Sequence, residues 1–430
     1  MKKIIKILAA ISFSIMTTSS IIACTNPFID LNVIRITIVT DGHPVNDKSF
    51  NESSYLGAIK FQEEFKQWTN RPDELKNKRI IITPIVPLTI DENTFVQSYG
   101  QAIVLNSAVT IASGFAQNSA LIRAQNRDFK NLMRYIYIDG DTEVSPAKKN
   151  LAGLLYNAEQ SGLMAAIAGA IWLIAHADQY GGVNDLKMST YGGLNIPPVT
   201  NYMYGFYWGL NLVNNSTGTF NQLLKNWVQK LNPDYDISIE LPKVNFLALK
   251  NQFSGNFNQA SPASKAINSS LVNSGADIIF PVAGPQISDT LAALEAKGNG
   301  KVIGVDTDQQ LQYRGAADRF ITSALKNVST SVDYMLWRAI GYDETAEHNE
   351  ISETEMETIF KKPAPYRGGS DFVGIAKNQA IELIYDDIIS NNDLIASDGF
   401  LDQVSKGWQK VLTESSNDLW STGQKINPFN

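Results

Sequence analysis

The sequence predicts an α/β protein made of two successive units, each a parallel sheet flanked by helices. Three observations lead there. Short apolar runs alternate with segments of helical spacing, the pattern of a parallel sheet covered on both faces. That alternation restarts after residue 150. At 430 residues the chain also exceeds what one ordinary core organises.

Residues 33–40 (VIRITIVT) read as a buried strand ending at Asp41-Gly42. Residues 49–65 then place Phe50, Tyr55, Ala58, Ile59, Phe61 and Phe65 at helical spacing. Residues 78–86 form a second strand. The runs 102–105 and 109–113 lead into Gly114-Phe115, a helix starts at Asn118, and 135–138 is a strand ending at Asp139. In the second unit, strands are expected at 151–156, 187–191, 244–249, 277–282 and 302–305, and helices at 159–175, 202–214, 261–274 and 287–297. No sequence repeat relates the two units. Residues 215–243 and 343–369 read as surface insertions, the second acidic and solvated, and the tail 415–430 as polar.

Composition narrows the function. With 36 basic and 43 acidic residues the chain carries −7, which argues against a nucleic-acid binder working through a basic face. Mean hydropathy is −0.13, and repeated long apolar runs are lacking, which excludes a polytopic membrane protein. Residues 1–23 read as a secretory signal: Lys2, Lys3 and Lys6, an apolar stretch at 7–16, and Ala23 before the cut. The single cysteine, Cys24, follows at once, and Ile21-Ile22-Ala23-Cys24 resembles a bacterial lipobox. That likeness implies lipid on the Cys24 thiol and a membrane anchor without a spanning helix. Without its signal the chain carries ten more acidic than basic side chains and has no thiol for a disulfide or a metal.

In open α/β sheets ligands bind beyond the carboxyl ends of the strands. That rule selects 41–51, 114–119, Asp139, Gly192-Gly193, 253–258, Ala283-Gly284 and 306–308. Carboxylates, amides, phenylalanines and glycines in this set suit hydroxyl binding and stacking on a flat ring. Enzyme motifs are absent: no G-x-S-x-G, no phosphate-binding G-x-x-x-x-G-K-[ST], no H-E-x-x-H. Of the three histidines only His43 lies at a strand end, and nothing beside it supports a Ser-His-Asp triad. Asp306 and Asp308 have the spacing of acid–base or metal chemistry and equally of a hydroxyl-binding loop. No enzyme activity, metal or cofactor is expected.

Several segments together resemble the basic-membrane-protein family, lipoprotein receptors for purine nucleosides of bacterial ABC importers. They are Asp41-Gly42 followed by DKSFN at 47–51; Gly192-Gly193, Tyr202 and Gly205-Phe206-x-x-Gly209; Phe257, then SGADIIF at 274–280 with Ala283-Gly284; VIGVDxDQ at 302–309; and ITSALKNV at 321–328. The match covers 33–340 and 368–383. It implies a two-lobed type I periplasmic-binding-protein fold with several hinge crossovers. Lobe one would hold 33–155 and 307–330, and lobe two 156–306 and 331–414, after a lipidated tether at 24–32. Phe50 and Phe257 match the aromatics that sandwich the purine, with Phe253 a rival for the second. Asp41 and Asn51 match the groups that read ring edges; Gly284, Asp306 and Lys326 match those that hold the ribose. An acid that the family carries after its Gly-Phe is missing here, and Asn118 or Ser119 stands in its place. The implied partners are a nucleoside, an ABC permease and the membrane at Cys24, with the protein a monomer. A sugar receptor on the same fold, which would tend to carry more Arg and Trp in its cleft, and a surface adhesin are the alternatives.

Overall fold

A computed structural model describes residues 30–127, 133–140, 150–249, 252–360, 366–367 and 372–391. The signal, Cys24 and the tail lie outside the described residues. The first unit runs β1 (Val33–Val39), α1 (Phe50–Gln67), β2 (Arg79–Ile85), α2 (Glu92–Val104), β3 (Val109–Ser113), α3 (Asn118–Arg127), β4 (Arg134–Ile138) and β5 (Leu151–Leu155). The second runs α4 (Ala158–Ala175), β6 (Lys187–Gly192), α5 (Pro197–Asn214), α6 (Gly218–Leu231), β7 (Asn245–Phe246), α7 (Pro262–Asn273), β8 (Ile278–Val282), α8 (Ile287–Lys297), β9 (Lys301–Asp306) and β10 (Phe320–Lys326). Then follow α9 (Val328–Ile340), α10 (Glu353–Phe360), β11 (Tyr366–Arg367), β12 (Val373–Ile375) and α11 (Glu382–Ser390).

The strands build two six-stranded sheets, ordered β11-β5-β4-β3-β1-β2 and β12-β10-β9-β8-β6-β7. Pairing is parallel throughout, except where β12 runs antiparallel to β10. Strands rich in Val and Ile and buried on both faces suit such sheets. In each sheet the first strand lies between the second and the third. That is a doubly wound arrangement, with its switch point between β1 and β3 in one sheet and between β6 and β8 in the other. The two units therefore share topology although no repeat is visible in the sequence.

The first crossover, between β5 and α4, falls where the sequence suggests, and the later ones fall elsewhere. The sequence places 307–330 in lobe one. Instead β10 pairs with β9, Phe320–Leu325 lying beside Val302–Asp306, so this stretch belongs to lobe two. The crossover comes next. Helix α9 packs on α1 in lobe one, close enough that a Cβ at Gly57 would sit 2.4 Å from the Ser329 carbonyl. The Lys60 ammonium meets the Asp333 carboxylate there at 2.5 Å, and Trp337 stacks edge-on against Phe61, 4.9 Å between centroids. The chain stays in lobe one through α10 and β11, which extends the first sheet beside β5, and returns to lobe two at β12. A parallel strand on β9 satisfies a full ladder of buried backbone groups, which the same run placed in lobe one, away from β9, leaves open.

Two further elements depart from the sequence reading. Residues 215–243 contain α6, whose Leu224, Trp227 and Val228 are buried in the second core, so the segment is no mere surface insertion. Helix α2 takes in residues 102–104; Asp91 caps it, accepting from the Asn93 and Thr94 amides. Helix α4 is long and apolar enough to cross a membrane, yet 94% of it is buried. It lies against α5 and β10. Glycines allow the approach to α5: a Cβ at Gly205 would fall 1.9 Å from the Glu159 carbonyl.

Candidate ligand site between the lobes

The carboxyl ends of both sheets face one cleft, with about 660 Å³ of atom-free space open to solvent. From lobe one Asp41, His43, Asp47, Phe50, Gly114, Phe115 and Asp139 line it. From lobe two come Ile196, Pro198, Val199, Tyr202, Phe257, Gly284, Pro285, Asp306 and Lys326.

The DKSFN segment shapes the first wall. Asp47 accepts from the backbone amides of Ser49, Asn51 and Glu52, closing the exposed N-terminus of α1. Glu52 reaches back to the Lys48 amide at 2.8 Å. Lys48 takes a positive φ of 56° to make that turn. Asn51 is fully buried behind the wall. Its amide nitrogen donates to Asp41 at 2.7 Å and to Asp47 at 2.8 Å, and its carbonyl accepts from the Asp41 amide. Asn51 thus orients Asp41 and does not itself line the cleft. Phe50, one residue earlier on the helix, does. At the next strand end Gly114 has φ 104°, and Gln117 turns back to bond the carbonyls of Ser113 (2.6 Å) and Val39 (3.1 Å), fixing the switch point.

The second wall is built the same way. Gln286 follows β8 as Gln117 follows β3. Its amide nitrogen donates to the Asn256 and Asn258 carbonyls at 2.8 and 3.1 Å, and its carbonyl accepts from Ser254 at 2.9 Å. This pins the loop that carries Phe257. The ring packs over Gly193, where a Cβ would lie 2.3 Å away, so only glycine fits. Phe253 packs instead against Gly192, leaving Phe257 the aromatic of this loop at the cleft.

Charge is concentrated at the base. Lys326 ends β10 with its side chain 3% exposed. Its ammonium lies 2.8 Å from Asp139 and 3.8 Å from Asp306, a carboxylate from each lobe around one cation. Burial works against that charge, but the two carboxylates outweigh it and raise the lysine pKa. Asp139 follows β4 and Asp306 ends β9, equivalent strands of the two sheets, and both are left-handed, with φ 60° and 63°. Tyr202 donates to Asp306 at 3.1 Å. Burial, with Asp306 and Asp139 beside it, pushes this phenol well above its ordinary pKa, so it stays a donor. At the mouth, His43 Nδ1 lies 3.0 Å from Asp41, and that hydrogen bond raises the imidazole pKa.

Of the residues expected from the sequence, Asp41, Phe50, Phe257, Gly284, Asp306 and Lys326 meet at this cleft. Asn51 stands one layer behind. Asn118 and Ser119 are exposed at the start of α3, outside the lining. The acid facing Lys326 from lobe one is Asp139, which the strand-end rule selects and motif matching passes over. Tyr202 and His43 were also visible, the first within the Tyr-x-x-Gly-Phe run and the second two residues after a strand-end Asp.

The profile of the family described as ABC transporter substrate-binding protein PnrA-like (Bmp) matches residues 34–231 and 247–354. An uncharacterized lipoprotein, the MG040 homolog of Mycoplasma pneumoniae, is 23% identical over 65% of this chain and 50% of its own, so the chain spans about half the length of that relative. Basic membrane protein A of Borreliella afzelii is 22% identical over 71% of this chain and 75% of its own. The ABC transporter nucleoside-binding protein BmpA of Lactococcus lactis is 22% identical over 70% and 73%. Among solved structures, an ABC transporter solute-binding protein from Aeropyrum pernix superposes with a TM-score of 0.52 at 16% identity, over 88% of this chain and 91% of that one. The arabinose-binding protein AraP of Geobacillus stearothermophilus gives 0.52 at 14%, over 82% and 98%; these likenesses speak to the fold alone. With the profile spanning most of both lobes, the chain belongs to the Bmp family of ABC transporter substrate-binding proteins.

Proposed function

We propose that the protein is a lipid-anchored, extracytoplasmic receptor that captures a nucleoside, with a purine as its base, and delivers it to an ABC permease. The observation that carries this reading is the pairing of Phe50 from one lobe and Phe257 from the other in a cleft whose base holds Asp306, Lys326 and Asp139. A flat base stacks on the two rings, at about 1–3 kcal/mol per face. Asp41, oriented by Asn51, accepts from a donor on the base edge. At the other end Asp306 and Lys326 address ribose hydroxyls, where a bond to a charged group contributes about 1.5–3 kcal/mol. The printed name of the Lactococcus lactis relative supports the ligand class, and lipoprotein relatives support the anchor at Cys24. Neither Arg nor Trp lines the cleft among the described residues, which favours a nucleoside over the sugar alternative.

Thermal-shift and calorimetric titration with purine and pyrimidine nucleosides, free bases and pentoses test the ligand. Purine nucleosides should bind tightest. Tighter binding of a pentose would replace this reading with the sugar receptor. Mass spectrometry of the membrane-extracted protein should find a chain beginning at an acylated Cys24; a retained signal or a free thiol there removes the anchor.

A further inference from the structure

We propose that two serines behind the cleft, Ser161 and Ser331, form a reciprocal hinge clasp. Each holds the strand end of the other crossover, and together they keep the lobes drawn toward closure about Asn157 and Asn327. The two crossovers are built alike. Strand β5 of lobe one runs through Asn157 into α4, which packs in the second core. Strand β10 of lobe two runs through Asn327 into α9, which packs in the first. The two asparagines share one backbone conformation: φ −80° and ψ 62° at Asn157, φ −73° and ψ 58° at Asn327. That is the inverse γ bend found at strand ends. Neither side chain caps the helix it precedes. A single bent residue between a strand of one lobe and a helix of the other is where a hinge absorbs its change in dihedral angle.

A serine stands four residues after each asparagine, and each reaches across to the other crossover. The Ser161 hydroxyl donates to the Leu325 carbonyl at 2.6 Å, near the end of β10, and accepts from the Gly374 amide of β12 at 3.1 Å. One hydroxyl on the first crossover thus ties down the strand that leaves lobe two and the strand that returns to it. The Ser331 hydroxyl donates to the Val328 carbonyl at 3.0 Å, which leaves its oxygen to accept from the Tyr156 hydroxyl at 2.5 Å. Tyr156 is the residue before Asn157. Both serines are buried, where water does not make good a lost hydrogen bond. The clasp adjoins the ligand site without entering it. Lys326 follows Leu325 directly, its ammonium lies 5.6 Å from the centre of the Tyr156 ring, and neither serine lines the cleft. A contact made when the lobes are together shifts the open–closed population by its own free energy. Breaking the clasp therefore opens the lobes and weakens a ligand that engages both, with every ligand contact left in place.

The inference rests on the nucleoside reading only for its probe, guanosine. Tyr156→Phe removes one hydroxyl and keeps the ring beside Lys326. Ser161→Ala removes the other half of the clasp; if it fails to fold, Tyr156→Phe decides alone. Small-angle X-ray scattering without nucleoside should give both variants a larger radius of gyration than wild type. Ser331→Ala, which breaks the Tyr156 bond from its other side, should match Tyr156→Phe. Calorimetry should find guanosine bound about two- to tenfold more weakly by each variant, the worth of one hydrogen bond. Radii equal to wild type overturn the clasp, and so does an unchanged guanosine affinity in variants that do expand. If the variants expand while guanosine binds none of the chains, wild type included, the nucleoside reading falls and the clasp stands.

Discussion

The two lobes meet the cleft with the same scaffold and different chemistry. Each presents a strand-end glycine followed by a buried glutamine, Gly114 with Gln117 and Gly284 with Gln286, and each carries a left-handed aspartate at the carboxyl end of its fourth strand. Beyond that frame they diverge. Lobe one supplies a polar rim, Asp41, His43 and Asp47, wired through Asn51. Lobe two supplies an apolar shelf, Ile196, Pro198, Val199 and Phe257, and the buried ammonium of Lys326. A repeated topology fixes where side chains emerge. Which ones emerge differs between the lobes, and under the proposed function one lobe reads polar edges while the other adds surface and charge balance.

Lys326 is where this division is most exposed, because it belongs to lobe two and neutralises a carboxylate of lobe one. Lys326→Met should leave Asp139 and Asp306 buried without their cation. Removing one partner of a buried pair costs about 3–5 kcal/mol, so denaturant midpoints should fall sharply and nucleoside binding with them. Wild-type stability in this variant would mean that the lobes do not depend on the ion cluster to close.

The equivalent aspartates sharpen the comparison next. Asp306 has Tyr202 and Lys326 as partners, whereas Asp139 has the nearer contact to Lys326. Asp306→Asn should weaken a ribonucleoside by about 1–3 kcal/mol, the cost of leaving polar groups unpaired in a closed site, and its 2′,3′-dideoxy analogue much less. Asp139→Asn should weaken both ligands alike, since its work is to hold Lys326. Equal losses for both ligands in Asp306→Asn would place that carboxylate away from the sugar hydroxyls. The aromatic pair follows, at a similar scale. Phe50→Ala and Phe257→Ala should each reduce affinity by about 1–3 kcal/mol with little change in folding. Calorimetry showing unchanged affinity in both would remove the sandwich.

How far the sequence reaches can be judged from the same residues. Alternation, the restart after residue 150 and the strand-end rule lead to the architecture and to most of the cleft, because buried parallel strands and their turns leave a local signal. The hinge does not. Whether 320–326 joins the second sheet depends on pairing with 301–306, a contact between segments that no local pattern encodes. Helix α6 was legible, since Phe220, Leu223, Leu224, Trp227 and Val228 fall at helical spacing, and its neighbouring polar runs obscured it. Asn51 shows a subtler limit. Its place in DKSFN is plain, but only the geometry shows its amide saturated by Asp41 and Asp47.

The smallest expected effect concerns the residues standing where an acid was sought. Asn118 and Ser119 begin α3 on the lobe-one side, exposed, and neither lines the cleft. Gln117, just before them, is turned inward to bond Ser113 and Val39, which fixes the course of the chain and carries the next two side chains outward. The charge balance sought from them is already met by Asp139 across from Lys326. Exposed substitutions away from caps, cores and networks stay within about 0.5 kcal/mol. The double variant Asn118→Ala, Ser119→Ala should therefore bind a purine nucleoside within about twofold of wild type, the same figure in affinity terms. A loss of tenfold or more would bring the start of α3 into the ligand site and give lobe one a second polar reader, beyond the rim that Asp41 anchors.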